Sequence, residues 1–109
     1  MPAAYKVLGQ SNPAATTLTT LYTVPASTSA IVSTISVCNT TSSAATYRIA
    51  IRPAGASIAT QHYVTYDAAV AANDTVLLTL GLTLATTDVV SVYSSATNVV
   101  FQAHGTEIT

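Results

Sequence analysis

A single antiparallel β-sandwich, jelly-roll-like or Ig-like, of about eight strands is the all-β fold class that this sequence predicts. Three observations carry that prediction. Short apolar runs rich in Val, Ile, Thr and Tyr recur along the chain, with turn residues between them. No stretch repeats its apolar residues at helical spacing, and no repeat of solenoid period is present. Thr75–Ala85 alternates more cleanly than any other segment: Val76, Leu78, Leu80, Leu82 and Leu84 fall on one side, and Thr75, Leu77, Thr79, Gly81, Thr83 and Ala85 on the other. A strand sends successive side chains to opposite faces, so one side belongs in a core and the other near water. The 109 residues form one domain, 1–109, large enough to bury a core without disulfides. Within it, residues 1–15 are expected to form an N-terminal arm or edge strand.

In chain order, Tyr5-Lys6-Val7-Leu8 makes a brief edge strand or arm, and Gly9–Pro13 a turn. Thr16–Val24 is β-branched and stops at Pro25, which cannot join a ladder. Its alternation is imperfect, which predicts a bulge or bend. Ala30–Cys38 and Ala45–Arg52 are expected to pair with each other through the polar link Asn39–Ala44. In the first, Ile31, Ser33, Ile35 and Val37 share a face; in the second, Tyr47, Ile49 and Ile51 do. Pro53-Ala54-Gly55 is the next turn. Ser57–Tyr66 is a strand after a loose start, and Asp67–Ala72 a connection that carries Val70 inward. Ala72-Asn73-Asp74 turns into Thr75–Ala85, where the isolated Gly81 predicts a kink at which the chain crosses between sheets. Thr86-Thr87-Asp88 turns out of it, Val89–Ser94 is a strand, Ser95–Asn98 a turn, and Val99–Gly105 the last strand.

Charge narrows the functions. Only Lys6, Arg48, Arg52, Asp67, Asp74, Asp88 and Glu107 carry formal charge, 6% of the chain, against roughly 25% in an ordinary soluble domain. Thr, Ser and Ala must therefore supply most of the surface. Either much of that surface is buried against partners, or the hydroxyls alone keep it in solution; the first is the favoured account. Three basic residues are too few for a nucleic-acid interface. No apolar run approaches the ~20 residues of a membrane span. The start of the chain lacks the basic and apolar stretches of a signal peptide, so synthesis and assembly in a cytoplasm are expected.

Chemistry-bearing residues are scarce. His62 and His104 are the only imidazoles and Cys38 the only thiol, and no Gly-x-Ser-x-Gly elbow occurs. Neither histidine has a second ligand at metal-type spacing. Asp74 and Asp88 lie at turns, where side-chain bonds to backbone N–H groups are their ordinary role. No catalytic residue, metal or cofactor is expected. Arg48 and Arg52 are the informative pair. Four apart on one strand, they share a face opposite Tyr47, Ile49 and Ile51, and form the candidate protein-contact patch. The alternative for this face is a solvated surface with acidic partners. The six tyrosines, Tyr63 and Tyr66 among them, are scattered singly, whereas a glycan site groups exposed aromatics with acids or amides.

Several phrases in order resemble a known family. Tyr22-Thr23-Val24-Pro25-Ala26, Ala30–Ile35 and Cys38-Asn39 resemble the opening of small virion proteins of tailed phages, cyanophages included. Ala45–Pro53, His62-Tyr63-Val64 and Ala71–Thr75 continue it, followed by Leu80–Leu84, Asp88–Tyr93 and Gly105–Ile108, so that nearly the whole chain is covered. The resemblance implies a non-enzymatic structural module of the virion, assembled in the host cytoplasm. Its partners would be copies of itself, as a homo-oligomer and by analogy a trimer, and other virion proteins such as the major capsid protein or neck and tail proteins. Capsid decoration, a neck or tail accessory, and a fibre or baseplate module that binds a host-surface glycan all fall within what it implies. It brings no catalytic residues.

Overall fold

The computed structural model describes residues 3–109. Eight strands follow one another as β1 (Ala3–Ser11), β2 (Thr19–Thr23), β3 (Ser29–Asn39), β4 (Ala45–Arg52), β5 (Tyr63–Val70), β6 (Thr75–Leu84), β7 (Val89–Ser94) and β8 (Val99–Ile108). Two short 3-10 turns, Pro53–Gly55 and Thr60–His62, separate β4 from β5. The strands form two four-stranded antiparallel sheets, ordered β1-β8-β3-β6 and β2-β7-β4-β5. Every connection except β4–β5 passes from one sheet to the other. That is the strand order of a jelly roll rather than of an immunoglobulin sandwich.

The inner faces supply one core. Val32, Ile35, Val37, Val99, Phe101 and Ala103 of the first sheet meet Tyr22, Tyr47, Ile49, Val90 and Val92 of the second. Phe101 lies edge-on to Tyr47 across the gap, with ring centroids 6.3 Å apart at 68°. Among the described residues, every buried side-chain nitrogen and oxygen has a hydrogen-bond partner.

Several local expectations are corrected. β3 and β4 do not pair; they lie in opposite sheets and face each other across the core. The link of residues 40–44 is too long for a tight hairpin, and both strands have an apolar face to bury, so they stack rather than pair. Gly9-Gln10-Ser11 continue β1 instead of turning. β2 is shorter than Thr16–Val24, because Thr16 takes a positive φ of 55° in a turn; the expected bulge is present between Thr20 and Tyr22. Asp67–Val70 belong to β5, which starts only at Tyr63, and Val70 does point inward. β8 runs three residues beyond Gly105.

The kink at Gly81 is real in a different form. β6 is one strand in one sheet and crosses nowhere. Gly81 has φ 64°, and Leu80-Gly81 together oppose the single Ser33, which is a bulge with glycine in the left-handed region. The irregularity does not stop there. Ser33 has no partner in β8, and its hydroxyl donates to the His104 carbonyl at 3.1 Å. One strand further, Leu8 of β1 has no partner between Val7 and Gly9. Leu8, His104-Gly105, Ser33 and Leu80-Gly81 thus form a continuous line of bulges across the sheet. The line changes the phase of β3: Ala30 and Val32 point inward before it, Ile35 and Val37 after it, and Ile31 is left outside. Gly105 is obligatory on this line, since a Cβ there would collide with the Ile31 carbonyl oxygen.

Candidate functional site

The outer face of the β2-β7-β4-β5 sheet carries the densest cluster of functional side chains, centred on Arg48. β4 pairs with β7 so that Arg48 sits opposite Tyr93. On its other side β5 is bulged: Ala68 pairs with Tyr47 and Thr65 with Ile49, which leaves two residues, Tyr66 and Asp67, opposite Arg48. Asp67 takes φ 52°, a left-handed conformation that Asp tolerates better than most residues. This bulge gives the arginine both a ring and a carboxylate. The guanidinium carbon lies 4.1 Å from the Tyr66 ring centroid and 4.2 Å from that of Tyr93, so the cation is held between two aromatic faces. Its Nε donates to Asp67 Oδ1 at 2.7 Å and Nη2 to Oδ2 at 3.3 Å. The hydrogen bond to Asp67 pushes the Arg48 pKa further above its already high ordinary value, so the group stays charged throughout the working range.

Beside this cluster, Tyr63 meets Tyr66 edge-on, with centroids 4.8 Å apart at 82°. The two rings line a shallow cleft of about 370 Å³ with Ile58, Ala59 and Thr60. Three of the tyrosines that are scattered in the sequence are therefore gathered in space: Tyr66 and Tyr93 flank Arg48, and Tyr63 packs against Tyr66. Only the bulge and the β5–β4–β7 order bring them together, and neither is visible in the spacing of the residues.

Arg52 shares the face of Arg48, as its position four residues away requires, but it is spent locally. Its Nε donates to the buried Ser91 hydroxyl at 3.1 Å and its Nη1 to the Ala56 carbonyl at 3.1 Å, closing the turn after β4. Arg48 has the acidic partner that the solvated-face alternative required, and in addition the aromatic walls that it did not. His62 is also engaged locally, its Nδ1 accepting from the Ala59 N–H at 3.1 Å. Asp88 accepts from Ala54 N and Ala85 N, both at 2.9 Å, and Asp74 from Thr75 N at 2.8 Å, which are turn roles. Among the described residues, no group of three His, Cys, Asp or Glu side chains is placed to hold a metal ion.

A second cluster was not anticipated. Lys6 on β1, Glu107 on β8 and Tyr22 on β2 meet at one end of the sandwich. Lys6 Nζ lies 2.6 Å from Glu107 Oε1, and the Tyr22 hydroxyl donates to Oε2 at 2.6 Å. These two bonds hold the Glu107 pKa below the ordinary carboxylate range, while burial and the neighbouring carboxylate raise that of the Tyr22 phenol. The cluster ties the outermost strand of one sheet to the outermost strand of the other. Its only sequence signal is scarcity: Lys6 and Glu107 are the only lysine and glutamate in the chain.

Comparison with known proteins adds no relative: no family model matches the chain, no curated protein matches it, and no solved structure matches it.

Proposed function

We propose that this chain is a non-enzymatic structural module of a tailed-phage virion, which decorates or stabilises the particle through protein–protein contacts with its own copies and with other virion proteins. The observation that carries this reading is where the charges go. All seven charged side chains make a hydrogen bond or ion pair within the chain: Lys6 with Glu107, Arg48 with Asp67, Arg52 with Ser91, and Asp74 and Asp88 with backbone N–H groups. Among the described residues no charged side chain is left without a partner inside the chain, and the remaining surface is mostly hydroxyl, amide and hydrocarbon. Such a surface is suited to permanent packing in an assembly. The ordered phrases that resemble small virion proteins point the same way, and a homo-oligomer, a trimer by analogy with decoration and fibre proteins, is the form we expect. Imaging of the intact particle tests the proposal: density for this sandwich on the capsid, neck or tail supports it, and its absence from purified particles overturns it.

One observation favours a second reading, in which the module binds a host-surface glycan at a fibre or baseplate. Tyr63 and Tyr66 are grouped at a cleft beside the Arg48–Asp67 pair, and aromatic rings next to a carboxylate suit a sugar ring. Asp67 is already engaged by Arg48 on both oxygens, however, which leaves the cleft with hydroxyls alone. A glycan array decides between the two. Under the structural reading no glycan is retained selectively; selective binding that Tyr66→Ala abolishes replaces it.

A further inference from the structure

Among the described residues, the outer face of the opposite sheet carries no formally charged side chain. Three rows of paired residues cross it from β1 to β6, and a fourth from β8 to β6. Tyr5, Thr106, Ile31 and Thr83 are aligned in one row, and Val7, His104, Thr34 and Thr79 in the next. Gln10, Gln102, Ser36 and Leu77 form the third, and Val100, Cys38 and Thr75 the fourth. Lys6 and Glu107, the only charged residues on these strands, belong to the inward-facing set, paired with Gly105 and Ala30 respectively. Among the described residues the outer face thus carries no formally charged side chain. It does carry large apolar ones: Tyr5 is 84% exposed and Leu77 68%, with Val7 and Ile31 between them. The sheet is bounded by β1 and β6, whose outer backbone edges pair with no other strand among the described residues. β6 has neither a lysine nor a proline to block addition of another strand.

We propose that the outer face of the β1-β8-β3-β6 sheet packs against a second copy of this chain. The inference rests on the homo-oligomeric part of the reading above and names its surface. Charge selects the occupant. Copies of one chain present the same signs to each other, so a face meant for its own copies is best left neutral, whereas a partner of opposite charge would require charge here. Area permits it. Four strands about 4.8 Å apart and about 30 Å long project about 600 Å², and side-chain relief raises this toward the roughly 800 Å² per partner of a stable interface. Two shallow hollows flank the face. One is lined by Ser29, Ile31, Thr83 and Ile108, the other by Gln10, Asn12, Val100 and Gln102, and both are places for a neighbour's side chains to seat.

Sedimentation velocity across a concentration series tests this with the full chain. The wild type is expected to run as an oligomer, and Leu77→Asp to weaken association by at least about tenfold, since it places an unpaired carboxylate in a desolvated contact. Leu77 is exposed in the single chain, so its replacement leaves the fold intact; circular dichroism verifies this. Val64→Asp, at an exposed apolar residue of the other sheet, leaves association unchanged. Cys38, on the proposed face, gives a readout without mutation: its alkylation slows as concentration brings copies together. An oligomer that Leu77→Asp leaves intact, or that only Val64→Asp breaks, overturns the surface but leaves the homo-oligomer standing. A wild type that stays monomeric at high micromolar concentration, with constant Cys38 reactivity, overturns the proposal itself. Detection of the chain on particles then still decides the virion reading separately.

Discussion

Asn39 does more for this fold than its place at a strand end announces. It is 1% exposed, and its amide donates to the Ser43 carbonyl at 2.8 Å while its Oδ1 accepts from Thr41 N and the Thr41 hydroxyl. Its backbone N–H bonds the Asp74 carbonyl at the start of β6. One side chain thus shapes the crossing from β3 to β4. Asn39→Ala removes these three side-chain bonds and is expected to cost about 2–3 kcal/mol, read as a lower urea midpoint with unchanged slope. Glu107 acts through its ionisation. Its folded pKa lies below its unfolded value, so its ionised form stabilises the fold at all pH above the ordinary glutamate range. That stability is lost as pH falls from the ordinary value through the depressed one. Glu107→Gln should therefore lower stability at neutral pH and flatten the acid limb of the stability curve, measured by thermal unfolding from neutral to strongly acidic buffer. Tyr22 works in the opposite sense: its phenol is raised, so its contribution is intact below the ordinary tyrosine range and declines as pH rises beyond it.

At the level of elements, bulges decide what each strand offers. The bulge in β5 gives Arg48 its two partners, and the line of bulges through Leu8, Ser33 and Gly81 decides that Ile31 is outside and Val32 inside. Two glycines on that line fail for different reasons. Gly81 has open space around its Cα, so its only demand is the positive φ. Gly81→Asn is expected to be nearly neutral, and Gly81→Val to cost about 1–2 kcal/mol or more through backbone strain alone. Gly105 has no φ demand but no room, because the Ile31 backbone occupies the place of a Cβ. Gly105→Ala should cost about 3 kcal/mol, the upper end of overpacking, since backbone cannot step aside as a side chain does. Chemical denaturation of the three variants separates strain from collision. If Gly105→Ala is the mildest, the close approach of β8 to β3 is wrong.

For the whole molecule, the distribution of charge makes an assembly prediction that no single residue makes. The face proposed for self-association carries no formal charge, so its strength should not fall with salt. Sedimentation from low to molar sodium chloride is expected to show the oligomer unchanged or tightened, as burial of hydrocarbon and hydroxyl groups requires. Dissociation at high salt would assign the contact to ion pairs, which among the described residues are Arg48–Asp67 on the other sheet and Lys6–Glu107 on β1 and β8.

How much of this was legible without coordinates follows from the range of each interaction. Thr75–Ala85 was readable as a strand because side-chain alternation is a local property of the backbone, and so were most turns, where Gly, Pro, Asn and Asp act on their own neighbours. Strand existence, the all-β class and the approximate strand count came from such local terms. The Arg48–Arg52 shared face did too, since residues four apart on a strand point the same way. Pairing was not legible: nothing local says that β1 joins β8 rather than β2, and the pairing expected for β3 and β4 failed because two strands with one apolar face each can equally lie edge to edge or face to face. The tyrosine cluster around Arg48, the Lys6–Glu107–Tyr22 tie and the neutral outer face all depend on that choice. By itself, then, the sequence determined which segments are extended and which of their side chains avoid water. Which sheet each strand joins, and hence which polar groups meet and which face is left uncovered, was decided only when the two apolar faces closed on each other, because burial rewards the whole core at once rather than any one segment.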